Sequence, residues 1–244
     1  MFKYQILALI LFILASCSSD ANFEDKRSSS LIKPNFTSTQ SMYDCTLLSD
    51  KSLNNLEAFI PKLVKVTSVL YPSASLEFLF NQKDAINSFS IVYSDKQTEF
   101  NSPGIMQIFN QEGIKNIAKC ITRDDIMLSS NIFIDNKPIT FTTFEVEILN
   151  CKFNEGYNFG TFAIEIDTFL NLVRSKGVQY FAKFQQIDNQ NTSFTWINYL
   201  GTEEDKMNLY KGWLEAEDSI NIQESFNIQS KCESSSSYKG YKVL

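Results

Sequence analysis

The 244-residue chain contains no histidine. That absence excludes Ser-His and Cys-His nucleophile pairs, histidine-ligated haem and most zinc sites. No two cysteines stand at Cys-x-x-Cys spacing, which argues against a four-thiolate metal site. Basic clusters are also missing. With 22 Lys and Arg against 28 Asp and Glu, the formal charge is −6, spread without long like-charge runs. Binding to a phosphate backbone needs clustered cations, so no nucleic-acid partner is expected. No motif in the chain specifies a reaction. What is present is enough apolar residue, 43%, for a packed core, and enough length for one large domain or two small ones.

Phe144 to Trp213 carries the clearest local pattern. Phe144, Val146 and Ile148 alternate with Glu145 and Glu147, the period of a half-buried strand that continues to Cys151 and Phe153. Phe159, Phe162, Ile166, Phe169 and Leu170 recur at helical spacing, with Gly177 just past the helix end. A hairpin follows: Val178 to Ile187, a polar turn Asp188 to Asn191, then Ser193 to Tyr199. Thr202 caps a last helix with Met207, Tyr210 and Trp213/Leu214 on one face, Trp213 being expected in the core.

An earlier stretch follows the same plan. Met42 to Leu48 reads as a strand containing Cys45, and Ser52 caps a helix with Leu53, Leu56, Ile60, Leu63 and Val64 on one face. Pro61 inside that helix should kink it near Glu57. Leu76, Phe78 and Phe80 alternate as one strand and Phe89, Ile91 and Tyr93 as the next, around a turn at Lys83-Asp84. Ser102-Pro103 opens a short helix with Ile105, Ile108 and Phe109, Gly113 ends it, and Ile114 to Ile121 closes the unit as a strand bearing Cys120. Cys45 and the five apolar helix positions fall on Cys151, Phe159, Phe162, Ile166, Phe169 and Leu170 at a constant offset of 106 residues. Lys119-Cys120 falls on Lys231-Cys232. Shared element order and shared cysteine positions predict a tandem duplication. The repeats span 42–122 and 144–233, joined by a connector, 123–143, in which Ile132 to Ile134 is a short strand and Asp135 to Pro138 a turn. Residues 234–244 read as a frayed, serine-rich polar tail.

At the N-terminus, Lys3 precedes the apolar run Ile6 to Leu14, which is far shorter than the roughly 20 residues of a bilayer span but fits a signal-peptide core. Leu14-Ala15-Ser16-Cys17 resembles a bacterial lipobox. The resemblance implies a signal peptide at 1–16, cleavage before Cys17, lipidation of Cys17 and a membrane-lipid partner. Ser18, rather than Asp, after the cysteine implies outer-membrane placement in the bacterial envelope, facing the periplasm or the cell surface. Residues 17–41 then form a lipidated, polar tether. Asn35-Phe36-Thr37 and Asn191-Thr192-Ser193 match the glycosylation pattern and are read as chance in a bacterial lipoprotein.

Each copy reads β-α-β-β-α-β, an order that resembles the ferredoxin-like fold. Two copies in one chain resemble the fused form of the dimeric α+β barrel proteins, an α+β class. Relatives of that fold include monooxygenase-like enzymes, stress-response barrels and uncharacterised envelope proteins. In a ferredoxin-like unit the first and last strands are antiparallel neighbours. The resemblance therefore implies the disulfides Cys45–Cys120 and Cys151–Cys232, with a four-thiolate site as the alternative. Closing such long loops stabilises by roughly 4 kcal/mol each in the chain-entropy model.

Candidate sites are sparse. Tyr180, Phe184, Trp196 and Asn198 lie on aromatic-rich strands that either line a small-ligand pocket or fill the core, core filling being the simpler expectation. Trp196 and Asn198 share a strand face and could bind an aromatic ring by stacking and an amide hydrogen bond. Asp124-Asp125 and Glu145/Glu147 are acidic pairs, and Glu145 and Glu147 could act as acid and base, although a solvated strand face is the ordinary meaning of such a pair. No catalytic residue, metal or cofactor is assigned. The balance of these readings leans to a non-catalytic, lipid-anchored module that binds a small ligand or an envelope protein. The alternative, from the fold resemblance, is a cofactor-free or flavin-dependent monooxygenase-like enzyme.

Overall fold

The computed structural model describes residues 34–81, 87–96, 102–123, 127–133, 142–176, 180–187 and 192–244. The lipobox with Cys17, Asp124-Asp125, Gly177 and the turns at Lys83-Asp84, Asp135 to Pro138 and Asp188 to Asn191 lie outside the described residues.

The first unit runs β1 (Ser38–Leu47), α1 (Leu53–Leu70), β2 (Ser75–Asn81), β3 (Ser88–Asp95), α2 (Ser102–Glu112) and β4 (Ala118–Thr122). A connecting strand, β5 (Met127–Phe133), follows. The second unit runs β6 (Thr143–Phe153), α3 (Phe159–Ser175), β7 (Phe181–Ile187), β8 (Ser193–Leu200), α4 (Glu203–Leu214), α5 (Ser219–Gln229) and β9 (Ser230–Lys242). The fold is α+β, a duplicated ferredoxin-like unit with two helices where the first unit has one.

The strands of the units are ordered β4-β1-β3-β2 and β9-β6-β8-β7, all antiparallel. Pairing of β2 with β9 joins one side, and β5, between β7 and β1, joins the other. An eight-strand antiparallel barrel results, with β4 flanking β1. Closure leaves few unpaired edges. The duplication is visible in register. Cys45 faces Phe89 on one neighbour and Cys120 on the other, and Cys151 faces Phe194 and Cys232. Both disulfides, Cys45–Cys120 and Cys151–Cys232, are present.

Helices cover the outer face of each half-barrel. Leu56 and Leu63 of α1 are buried with Leu76 and Phe78, and Phe162, Ile166 and Leu170 of α3 with Phe184 and Phe194. Ser52 and Asn55 form a capping box at α1, and Asn158 accepts from the Gly160 and Thr161 amides at α3. The α1 helix continues past Pro61 to Leu70. Side chains of opposite strand parity fill the barrel, among them Leu79, Val92, Phe144, Val146, Ile197 and Tyr199.

Several expectations are corrected. The tether ends before β1, whose Thr39, Gln40 and Ser41 are buried. Part of the connector is a barrel strand, β5, that begins at Met127 rather than Ile132. Its polar centre hid it, since Ser129 faces a polar part of the interior and its hydroxyl accepts from the Gln185 amide at 3.5 Å. The serine-rich tail is no frayed end but the second half of β9. Tyr238 to Lys242 pair with Asn81 to Glu77 of β2, and the Val243 amide donates to the Leu76 carbonyl. Ladder hydrogen bonds come from backbone, so strand formation here does not depend on apolar alternation. A short 3-10 turn, Ile114–Asn116, replaces the first part of the expected closing strand of unit one.

One glycine is required where the barrel closes. A Cβ built on Gly240 would lie 2.1 Å from Cε2 of Phe144, inside the packed interior. Gly240→Ala should destabilise by about 1–3 kcal/mol in urea unfolding, because the ring must shift within a filled core.

Candidate functional site

The two units differ in how their helices seat. In the first, Ile105 and Phe109 of α2 and Ile114 after it are fully buried on the sheet. In the second, the corresponding connection is longer and polar. Helix α4 buries no residue completely, Met207 and Leu214 of its expected apolar face are exposed, and α5 supplies further cover. A cavity of about 200 Å³ remains between this cover and the strands β6 and β8.

Its walls are mainly aromatic and aliphatic. Leu149, Phe194 and Trp196 form the sheet side, Phe162 and Phe169 come from α3, and Leu209, Tyr210, Trp213 and Phe226 from α4 and α5. The Cys151–Cys232 disulfide lies in the same wall. Gln223, Asn227 and Ser230 add polar groups from α5 and the start of β9.

A second polar group is tightly organised. Antiparallel pairing sets Glu147 of β6 directly opposite Asn198 of β8. The Asn198 side-chain oxygen accepts from the Tyr180 hydroxyl at 2.6 Å and from the Trp196 indole nitrogen at 2.7 Å. Its side-chain nitrogen donates to Glu147 Oε2 at 3.2 Å. The donors of Tyr180 and Trp196 are thus already engaged, and the network ends on a carboxylate. Burial raises the Glu147 pKa, against the opposing effects of the Asn198 hydrogen bond and the Lys206 charge. Burial also raises the Tyr180 phenol, which stays protonated and donating. Tyr210 is pushed up to about 12, by burial first and then by Glu147, Glu145 and Glu203.

Of the sequence candidates, Tyr180, Trp196 and Asn198 come together on the cavity. Phe184 does not. It is fully buried beside Phe159 and Phe194, with ring centroids at 4.7 and 5.1 Å. Glu147, read as part of a solvated face, turns to the cavity, because the helices cover the strand face it occupies. Glu145 points the same way but lies towards the rim, paired with Lys206 at 2.6 Å. Trp213 lines the cavity instead of closing a core. Tyr210, Gln223 and Phe226 were missed as site residues. Only the aromatic spacing of Tyr210 and Trp213 signalled them, and it reads equally well as core. No group of three or more Cys, Asp or Glu able to hold a metal occurs among the described residues.

No family model matches the chain, and no curated protein does. Solved structures do share its fold. A protein of Fusobacterium nucleatum subsp. nucleatum, provisionally assigned as a monooxygenase, matches with a TM-score of 0.54 at 12% identity, over 86% of this chain and 94% of that one. A provisionally assigned chlorite dismutase matches with a TM-score of 0.51 at 11% identity, over 85% and 95%. A haem-binding protein of Thermus thermophilus matches with a TM-score of 0.54 at 6% identity, over 85% and 93%. The chain has the dimeric α+β barrel fold in its fused form. The leaning towards a non-catalytic module is corrected by these likenesses, since the solved structures that share the fold include ones assigned to enzymes. At such identities they establish the fold alone.

Proposed function

We propose that the chain is a small-molecule oxygenase that works without a bound cofactor, in the cavity of the second unit. The observation that carries this is Glu147, a carboxylate made more basic by burial and held by Asn198 against an aromatic cavity. Such a group is suited to accept a proton from a substrate carbon. In the proposed reaction Glu147 takes one proton from an activated CH₂ group of an aromatic substrate. The resulting carbanion supplies electrons to dioxygen and forms a C–O bond. The peroxide takes the proton back from Glu147, and loss of water leaves a carbonyl. The balance is CH₂ + O₂ → C=O + H₂O, and dioxygen is the oxidant. Likeness to the provisionally assigned Fusobacterium monooxygenase supports this choice of oxidant.

The residues do not fit a haem. The chain has no histidine, both cavity cysteines are joined to each other, and Tyr180 is a protonated donor to Asn198. A cavity of about 200 Å³ is near the size that takes one benzene-like ring, and a haem macrocycle is far larger.

Oxygen uptake by chelator-treated protein with a panel of activated-methylene aromatics tests the proposal, with ¹⁸O₂ labelling of the product. Uptake with one labelled carbonyl oxygen is expected. Aromatics that bind but are never oxidised would overturn it.

We also read Leu14 to Cys17 as a lipobox, which makes this enzyme a lipid-anchored protein of the bacterial envelope with outer-membrane placement. Several acyl chains anchor stably where one does not. Cys17→Ser should move the protein from the membrane to the soluble fraction on cell fractionation, and retention in the membrane would defeat the anchor.

A further inference from the structure

The electrostatics of the cavity are one-sided. Among the residues lining it, Glu147 is the charged one, and no Lys or Arg joins it. Glu145 and Glu203 lie close enough to act on Tyr210 together with Glu147. Among the described residues, Lys206 is the cation whose ion pairs reach this group of carboxylates, engaging Glu145 at 2.6 Å and Glu203 at 3.8 Å. The local balance is negative.

Hydrogen bonding around Glu147 is one-sided too. Tyr180 and Trp196 both donate to the Asn198 oxygen, and Asn198 in turn donates to Oε2 of Glu147. Oε1 of Glu147 has no hydrogen-bond partner among the described residues. A ligand group placed here meets an acceptor, so it must bring a donor. The rings of Trp196, Trp213, Tyr180 and Tyr210 line the same space. Aromatic faces attract cations through their ring quadrupoles, and the attraction grows when water is excluded.

We infer that this cavity binds organic ammonium ions, with the N–H group on Glu147 and the apolar body among the aromatic walls. This rests on the cavity being the functional site and is independent of the oxygen chemistry proposed for it. An ammonium ion held in this way occupies the proposed proton acceptor and competes with a neutral substrate. Carboxylate ligands are disfavoured at this end of the cavity, because an anion here would face Glu147 with its acceptor side.

The chain's only two tryptophans, Trp196 and Trp213, both line the cavity, so intrinsic fluorescence reports occupancy directly. The experiment titrates the full-length protein with phenethylammonium, phenethyl alcohol and 3-phenylpropanoate, three probes of one shape and different charge. Phenethylammonium should bind about tenfold or more tighter than the alcohol, and 3-phenylpropanoate weakest of all. Glu147→Gln, checked for native circular dichroism, should erase the preference for the cation while keeping the alcohol's affinity. Equal binding of ammonium and alcohol, or a cation preference that survives in Glu147→Gln, would overturn the inference, as would no binding by any probe. Oxygen uptake with a neutral aromatic, measured alongside, separates this failure from failure of the oxygenase reading.

Discussion

Glu77→Gln should cost about 3–5 kcal/mol of stability, the largest loss expected from a single near-isosteric change in this protein. Glu77 of β2 and Lys183 of β7 meet inside the barrel, with Lys183 Nζ 3.5 Å from Glu77 Oε1 and both side chains about 8% exposed. Lys183 also donates to Gln40 at 3.4 Å and sits over the Tyr199 ring at 4.8 Å, while the Tyr199 hydroxyl donates to Glu77 Oε2 at 3.0 Å. The pair bridges the two units from opposite halves of the ring. Removing the carboxylate charge leaves an ammonium in the interior with neutral amide oxygens and a ring face. Lys183→Met alone should cost a similar amount for the converse reason. Glu77→Leu with Lys183→Met should recover most of the loss, because an apolar pair no longer carries a desolvated charge. Urea unfolding of Glu77→Leu, Lys183→Met and their double variant, beside Glu77→Gln, measures this. Additive losses in the double variant would show that the ion pair is not what couples the halves.

Glu147→Gln should lower turnover by about 10²–10⁴-fold if the carboxylate is the proton acceptor. Glutamine keeps the shape, and its side-chain oxygen can still accept from Asn198, so the cavity should remain and substrate affinity for a neutral aromatic should change little. Only proton acceptance is lost. The same assignment fixes a pH dependence. The base must be ionised to act, so turnover should rise with pH through the Glu147 titration. Burial raises that titration above the ordinary carboxylate range. A rate that stays flat from below that range upward, or a variant that keeps wild-type turnover, would remove Glu147 from the mechanism.

Helix-side positions were the legible part of the fold. Leu56, Leu63, Phe162 and Ile166 recur at helical spacing because each must reach a sheet, and they are buried as that spacing requires. The cysteines were legible too. The resemblance to a ferredoxin-like unit, whose first and last strands are neighbours, implied their pairing, and the equal placement of Cys45/Cys120 and Cys151/Cys232 states the duplication twice. By contrast, β5 and the second half of β9 were hidden. Their hydrogen bonds are made by backbone, and polar residues such as Ser129 are accommodated in the barrel by polar partners from other strands.

The site divides along the same line. From local pattern alone, Trp196 and Asn198 share a strand face, Glu145 and Glu147 share another, and the absence of histidine rules out histidine-dependent chemistry. Local pattern could not decide whether those faces meet water, core or cavity. That depended on the pairing of β6 with β8, which sets Glu147 opposite Asn198, and on α4 and α5, which cover the sheet without filling it. Alternation along a strand determines which side chains point together, whereas the elements packed over them determine the dielectric they meet, and with it whether a glutamate is a surface charge or a base.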